Sequence, residues 1–282
     1  MTADVEHSEP AISAKLAFFT AVQFLTRIPV PGAMSATSEN HRAALRASII
    51  YFPLVGVLIG VFTTATFCAA NVLWSPLVAA ILAIAAEAFL TGAFHEDALA
   101  DATDALGGGW TREQVLAILK DSRHGTYGVL ALVIGVSLRI TLISNLSLSI
   151  AWLAIPFSAG LGRWSILIFM HRLQPIQDRH TMARDVGSKP SGSTILWGAI
   201  TPVLCFGVAL ACICAVDEEV STTVILMNAC FGFALAFVFS LLMTWYYASL
   251  VRRRVGGVTG DFLGANCYLV QLVTLLAIQA RV

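Results

Sequence analysis

Residues 49–70 decide the class of fold, and they read IIYFPLVGVLIGVFTTATFCAA. The stretch contains no charged side chain. At a helical rise of about 1.5 Å per residue it is long enough to cross a hydrocarbon layer about 30 Å thick. It therefore predicts a membrane-spanning helix rather than the core helix of a water-soluble domain.

The composition of the whole chain agrees with this prediction. Hydrophobic residues make up 57% of the 282 residues, charged residues only 12%, and the mean hydropathy is +0.80. So few charges cannot cover a water-facing surface, so we expect the lipid bilayer to surround most of the chain. The 17 basic and 17 acidic residues cancel, which argues against nucleic acid as a partner.

Six further windows have the length and composition of membrane spans. We predict these spans over residues 75–93, 127–146, 148–170, 194–216, 222–250 and 262–280. Residues 12–30 are ambiguous, because Lys15 and Arg27 flank an apolar run that predicts either an interfacial helix or an eighth span. The expected fold is all-α, a polytopic integral membrane helical bundle of about seven transmembrane helices. It forms a single domain over residues 1–282, and we expect residues 1–11 to be a disordered tail.

Basic residues occupy alternate connections between the predicted spans, at 42–46, 112–123, 172–189 and 252–254, and the connections between them contain no Lys or Arg. Positively charged connections remain in the cytoplasm, so every long polar connection is expected on that side of the membrane. The six cysteines lie in apolar stretches without the spacing of a zinc site. We interpret them as buried apolar residues.

Glu87, Arg139 and Arg163 lie within predicted spans, where a charge at the helix centre costs about 3 kcal/mol. One interpretation is a structural pair between Glu87 and an arginine of a neighbouring helix. The other is contact with a substrate, which makes Arg163 a candidate for substrate binding.

Residues 94–104 read FHEDALADATD and carry the first candidate for chemistry. If the helix continues through them, Asp97, Asp101 and Asp104 lie on one face, with Glu96 about 100° to the side. Stacked carboxylates repel one another unless a cation neutralises them, and oxygen ligands suit a hard ion such as Mg²⁺. The alternative is an acidic face on a water-exposed helix.

Residues 111–128 carry the second candidate. Thr111 is predicted to cap a short amphipathic helix over 111–121, and residues 120–128 read KDSRHGTYG. Lys120, Arg123 and His124 are candidates for substrate binding, since cations pair with phosphate oxygens and glycines expose backbone N–H groups.

Two later sites complete the pattern. Arg184, in residues 182–189, is a further cation for phosphate. Asp261 follows the glycines of 255–260 at the start of the last span, where a carboxylate needs a cation or a proton donor. Together these residues predict Mg²⁺-dependent transfer of a phosphate-containing group at the membrane surface, with an aspartate accepting the proton of the attacking hydroxyl.

Four separated stretches resemble the cobalamin synthase family, the adenosylcobinamide-GDP ribazoletransferases. They are residues 23–31 (QFLTRIPVP), 92–104 (GAFHEDALADATD), 120–128 (KDSRHGTYG) and 257–261 (GVTGD). The chain departs from the family pattern at Ala98 and Ala105, where glycine is expected.

The resemblance implies a Mg²⁺-dependent enzyme of the bacterial inner membrane with its active face towards the cytoplasm. A ribose hydroxyl of α-ribazole, or of its 5′-phosphate, attacks the phosphate next to the aminopropanol arm of adenosylcobinamide-GDP and releases GMP. On this resemblance Glu96, Asp97, Asp101 and Asp104 hold the metal. Lys120 and Arg123 bind the diphosphate or the nucleotide, and Asp261 is a second metal ligand or the base.

Two other functions are kept as alternatives. A phosphotransferase of the CDP-alcohol type would share the metal and differ in the nucleophile. A small-solute transporter would use Glu87, Arg139 and Arg163 at the membrane midplane. The cobalamin enzyme that the resemblance implies is a candidate for a homo-oligomer or for a complex with other cobalamin-pathway enzymes.

Overall fold

The computed structural model describes residues 12–30, 38–176, 189–216 and 222–280. About 82% of the described residues are helical, and the described part contains no strand, which confirms the all-α class. The helices are α1 (Ala14–Leu25), α2 (Ser38–Ser48), a 3-10 turn (Ile49–Tyr51), α3 (Phe52–Asn71), α4 (Pro76–Thr91), α5 (Phe94–Gly108), α6 (Arg112–Ile118), α7 (Thr126–Ser144), α8 (Leu148–Arg172), α9 (Gly192–Val216), α10 (Thr222–Arg254) and α11 (Gly260–Ile278).

Among the described residues, five helices are long and apolar enough to cross a membrane, or six if α4 and α5 count as one bent span. The five are His41–Asn71, Thr126–Ser144, Leu148–Arg172, Phe231–Arg254 and Gly260–Ile278. The chain is therefore a multi-pass helical membrane protein, as predicted. The predicted count of about seven is larger by two helices. Helix α4 alone has only 16 residues, and α9 is described without interruption only over Gly192–Val208.

The chain turns by 88° between α4 and α5. Gly92 and Ala93 both adopt the left-handed conformation, with φ of 72° and 55°. Glycine does so without steric cost, whereas an alanine strains the backbone by about 1–2 kcal/mol. The side chain of Arg27 packs over Gly92 and leaves no room for a Cβ atom there, and its backbone N–H donates to the carbonyl of Leu90 at 2.7 Å. The expected helix thus does not continue straight, and the acidic residues begin a new helix.

The N-terminal segment forms a short helix. Ser13 caps α1 by accepting a hydrogen bond from the N–H of Leu16 at 3.2 Å. Twelve residues extend only about 18 Å, which is too short to cross the hydrocarbon layer. Of the two alternatives for residues 12–30, this length favours the interfacial helix. The predicted tail, residues 1–11, lies outside the described part of the chain.

Helix α8 is the centre of the bundle, and 94% of an apolar 18-residue stretch of it is buried. Glycines let α3 approach it closely, since a Cβ atom on Gly60 would lie 2.5 Å from the Cα of Pro156. Helix α7 lies at the periphery, where Leu130, Val133 and Ile134 are exposed. Such an apolar outer surface is suited to lipid.

The buried charges form a structural pair, as one of the two interpretations predicts. Nη2 of Arg139 on α7 lies 2.8 Å from both carboxylate oxygens of Glu87 on α4. Thr63 donates to Glu87 at 2.6 Å, and Arg139 also donates to Gln271 of α11 at 3.2 Å. Four helices are therefore joined by one polar network inside the bundle.

Two contacts bring basic connections to the same end of the bundle. Nε of Arg112 donates to the carbonyl of Val255 at 2.9 Å. The N–H of Ile176 donates to the carbonyl of Val258 at 3.2 Å. The start of α6, the segment after α8 and the segment before α11 therefore meet, which agrees with the predicted alternation of basic residues.

Two smaller predictions can also be compared with the structure. Thr111 accepts a hydrogen bond from the N–H of Gln114, and the Gln114 side chain accepts in return from the N–H of Thr111, so the predicted cap of α6 is confirmed. The described cysteines, Cys68, Cys205 and Cys267, are free thiols.

Candidate active site

Two carboxylates of α5 and one histidine from the segment before α7 meet at the end of the bundle. Oδ1 of Asp101 lies 3.4 Å from Nδ1 of His124, and Oδ1 of Asp97 lies 3.8 Å from Nε2 of the same ring. One ligand atom from each of the three residues lies within 4.8 Å of the other two. We call these three residues the ligand cluster.

The chemistry of the ligand cluster suits a divalent cation that also binds substrate. Mg²⁺ is held in proteins by one or two carboxylates and completes its coordination with water and substrate phosphates. Asp97 is exposed and Asp101 is half-buried, so one side of the cluster is open to such ligands. The predicted metal set thus contributes Asp97 and Asp101 to the cluster, and His124 joins them from a predicted substrate-binding segment.

Asp104 has a different environment from the other two aspartates. Its carboxylate accepts hydrogen bonds from the N–H of Gly125 at 2.6 Å and of Gly128 at 2.8 Å, at the N-terminus of α7. A carboxylate at this position is stabilised by the helix dipole. A Cβ atom on Gly125 would lie 2.6 Å from the Asp104 carboxylate, so close approach requires glycine there.

The prediction that these glycines offer their N–H groups to phosphate is therefore wrong for Gly125 and Gly128. Both N–H groups are used by Asp104. Spacing within the sequence cannot distinguish a phosphate from a carboxylate of the same chain as the acceptor.

Glu96 links the ligand cluster to the buried charges. Its Oε1 lies 3.6 Å from Nη1 of Arg139, and its side chain is 13% exposed. Arg139 in turn holds Glu87, so the residue preceding Asp97 is anchored to the polar network of the bundle. The structure places Glu96 as a support for α5, in keeping with its position beside the aspartate face.

A cavity of about 240 Å³ opens beside Asp97. Asp261, in the first turn of α11, lines the same cavity, and Thr259 donates to its Oδ2 at 3.3 Å. The charges of Asp97 and Asp261 both act on the carboxylate of Asp101, so a third acidic group lies near the ligand cluster. The apolar walls include Phe24, Phe52, Phe94, Ile166 and Met170.

The predicted phosphate-binding cations lie on an exposed segment next to the ligand cluster. Lys120 and Arg123 are both exposed, and Arg123 forms an ion pair with Asp121 at 2.7 Å. The hydrogen bond from Arg123 lowers the pKa of Asp121 to about 2, so this carboxylate stays ionised at neutral pH. Arg184 lies in residues 177–188, outside the described part of the chain.

Arg163 is buried behind the site instead of being exposed in it. Its Nη2 lies 3.5 Å from Nδ1 of His95, and His95 lines the cavity. His95 was not among the predicted site residues, because its helical position opposite the aspartates indicates no role in metal binding.

Ala98, where the family pattern has glycine, is accommodated by the neighbouring helix α11. A Cβ atom on Gly264 of α11 would lie only 2.5 Å from the Cβ of Ala98, so the methyl group of Ala98 requires a glycine opposite. Both residues line the cavity beside Asp97.

Comparison with known proteins identifies the family. The family model described as cobalamin-5-phosphate synthase matches residues 17–279. Proteins named adenosylcobinamide-GDP ribazoletransferase are similar over nearly their whole length. The relative from Shewanella amazonensis is 35% identical over 93% of this chain and 94% of its own, that from Vibrio parahaemolyticus is 34% identical over 93% and 91%, and that from Rhizobium etli is 32% identical over 92% and 94%.

No solved structure matches the chain. The family match covers the ligand cluster, the cavity and the polar network that supports them. It ends at Gln279, one residue after the end of α11. The chain therefore belongs to the cobalamin-5-phosphate synthase family.

Proposed function

We propose that this protein is an adenosylcobinamide-GDP ribazoletransferase, which completes the nucleotide loop of cobalamin. The observation that carries the proposal is the grouping of Asp97, Asp101 and His124, of which Asp97 also lines an apolar cavity, inside the range that matches the family. Relatives of the same length carry this name.

The proposed reaction is a phosphoryl transfer in which one bond to phosphorus replaces another. A ribose hydroxyl of α-ribazole, or of α-ribazole 5′-phosphate, attacks the phosphate next to the aminopropanol arm. The new P–O bond forms as the diphosphate P–O bond breaks, GMP leaves with the bridging oxygen, and the hydroxyl proton passes to a base. Such reactions depend on positioning and on stabilising negative charge.

We assign Mg²⁺ to the ligand cluster of Asp97, Asp101 and His124. Bound Mg²⁺ supplies positive charge that stabilises the transferring phosphate. Glu96 and Asp104 have supporting roles in this assignment. Glu96 holds α5 through Arg139, and Asp104 holds the segment that carries His124.

The remaining candidates are assigned from their positions. Asp261 lines the cavity together with Asp97, and we assign it as the base that accepts the proton of the ribose hydroxyl. Lys120 and Arg123 are exposed beside His124 and are the proposed partners of the GDP phosphates. Arg184 remains a candidate for the same task.

We place the enzyme in the bacterial inner membrane with the site facing the cytoplasm. This is supported by the basic residues of the connections that meet at the end of the bundle that holds the site.

The test is turnover by the purified full-length protein in liposomes, supplied with adenosylcobinamide-GDP and α-ribazole. We expect GMP and the joined corrinoid in equal amounts with Mg²⁺, no product with EDTA, and recovery when Mg²⁺ is added back. Folded protein that gives no product with verified substrates would overturn the proposal. CDP-alcohol substrates would then be assayed first and solute uptake second.

A further inference from the structure

The walls of the cavity beside Asp97 are built from flat and apolar side chains. Phe24 stacks on Phe52 with ring centroids 5.4 Å apart and planes 15° apart, and it meets Phe94 edge to face at 5.8 Å. Ile166 and Met170 of α8 also line the cavity. Walls of this kind suit a flat apolar ligand.

The volume admits more than a single ring. An apolar cavity of about 150 Å³ is enough to bind benzene. This cavity measures about 240 Å³, so it has room for a bicyclic aromatic group.

His95 provides one polar group to this apolar wall. It is 2% exposed, and its Nδ1 faces Nη2 of Arg163 at 3.5 Å. A guanidinium can only donate, so Nδ1 is the acceptor and the neutral imidazole carries its proton on Nε2. Within the described residues, Nε2 of His95 has no hydrogen-bond partner. Its neighbouring atom, Cδ2, lies 4.0 Å from where a Cβ of Gly264 would be, and Gly264 lines the cavity.

We infer that this cavity binds the base of α-ribazole and that Nε2–H of His95 donates a hydrogen bond to it. The base is 5,6-dimethylbenzimidazole, a flat apolar bicycle in which one ring nitrogen holds the ribose and the other has a free lone pair. One donor in an aromatic wall matches one acceptor in an aromatic ligand. The inference rests on the proposed function and specifies where its nucleoside substrate binds.

The same chemistry discriminates against the other base in the reaction. Guanine carries several donors and acceptors, and the apolar walls would leave most of them unpaired. The aromatic part of the cavity therefore favours the base of the attacking nucleoside, with Asp97, Thr259 and Asp261 left to face its ribose.

The location of the cavity agrees with this assignment. Asp97 belongs both to the cavity wall and to the ligand cluster, and Asp261 lines the cavity as well. A nucleoside with its base in the cavity would hold its ribose beside these carboxylates, where the attacking hydroxyl is needed.

The first experiment tests the hydrogen bond by changing both partners. It compares kcat/KM for the α-ribosides of 5,6-dimethylbenzimidazole and 5,6-dimethylindole, in which a C–H group replaces the free nitrogen. We expect the wild-type protein to prefer the benzimidazole by about tenfold or more. His95→Phe preserves the aromatic shape and should reduce the preference to about twofold or less, while His95→Gln, which retains a donor, should preserve part of it. A full preference in folded His95→Phe would overturn the role of His95.

The second experiment tests the cavity itself. Ile166→Phe fills part of it, and Ile168→Phe is the matched control, because Ile168 is half-buried on another face of the same helix. Ile166→Phe should raise the KM for α-ribazole about tenfold and leave that for adenosylcobinamide-GDP unchanged. Equal effects on both substrates, or equal effects of the two variants, would contradict the assignment.

A binding measurement separates this inference from the proposed function. Equilibrium dialysis of α-ribazole against protein in liposomes should show binding to the wild-type protein and to Ile168→Phe, with weaker binding to Ile166→Phe. That pattern supports the cavity even if no corrinoid product forms, an outcome that would overturn only the proposed function. Normal turnover with the same α-ribazole affinity in both variants would overturn only the inference.

Discussion

The carboxylate of Asp104 and the backbone N–H of Gly125 are 2.6 Å apart, and this hydrogen bond joins α5 to the N-terminus of α7. His124 immediately precedes Gly125, and its Nδ1 lies 3.4 Å from the carboxylate of Asp101. Asp104 therefore positions the histidine of the ligand cluster through the backbone.

Asp104→Ala should weaken both the fold and the ligand cluster. Loss of a helix-capping acceptor costs about 1–2 kcal/mol of stability, which thermal unfolding in detergent will measure. Release of His124 should also lower the affinity for Mn²⁺, used as a spectroscopic substitute for Mg²⁺, by about tenfold. Asp104→Asn retains one acceptor oxygen and should have a smaller effect. Unchanged stability and Mn²⁺ affinity in Asp104→Ala would contradict the positioning role.

Gly128→Ala should be strongly destabilising, because the added Cβ would overlap the carboxylate of Asp104. The expected result is a lower melting temperature and a loss of turnover together. Gly207→Ala is the matched control. Nothing lies within 4 Å of its added Cβ, and alanine is the better helix former, so its melting temperature should stay the same or rise. Similar losses in the two variants would show that the contact with Asp104 is not the cause.

Asp97→Asn and Asp101→Asn should each reduce turnover by at least about 100-fold, since each removes a charged oxygen from the proposed Mg²⁺ site. Asp97 is exposed, so its variant should keep the wild-type melting temperature. Glu113→Gln removes an exposed carboxylate of α6 that lies outside the ligand cluster and should retain turnover. Full activity of folded Asp97→Asn would remove this residue from the mechanism.

Arg139→Met should lower the free energy of unfolding by about 3–5 kcal/mol, because Glu87 would remain buried without its charged partner. The double variant Glu87→Gln/Arg139→Met should recover much of this loss. Arg253→Met, at an exposed cation of α10, is the control and should have little effect. Thermal unfolding of the wild type, Arg139→Met, Glu87→Gln and the double variant measures the coupling. A double variant whose loss of stability equals the sum of the two single losses would disprove it.

Much of the fold follows from local sequence. Apolar windows long enough to cross a bilayer predict α3, α8 and α11, and the cap at Thr111 begins α6 where the residue type indicates. A buried pair between Glu87 and an arginine is one of the two interpretations that the sequence supports, since a lone charge is costly at that depth, and the structure identifies the partner as Arg139.

The features that sequence reasoning missed depend on tertiary contacts. The turn at Gly92 and Ala93 places a non-glycine residue at positive φ, beside an Arg27 that is distant in sequence. Asp101 and Asp104 have the same helical spacing whether a cation or two backbone N–H groups stabilise the carboxylate of Asp104. The spacing therefore cannot predict which of the two it is. Only the packing of α7 against α5 separates the two aspartates.

The right-angle turn after α4 also affects the surrounding lipid. Sixteen residues extend about 24 Å, less than the thickness of an ordinary hydrocarbon layer. Such a mismatch is accommodated when the bilayer thins around the short helix. Because Asp97 follows α4 by only a few residues, we expect the acyl-chain length of the surrounding lipids to affect the depth at which this carboxylate lies.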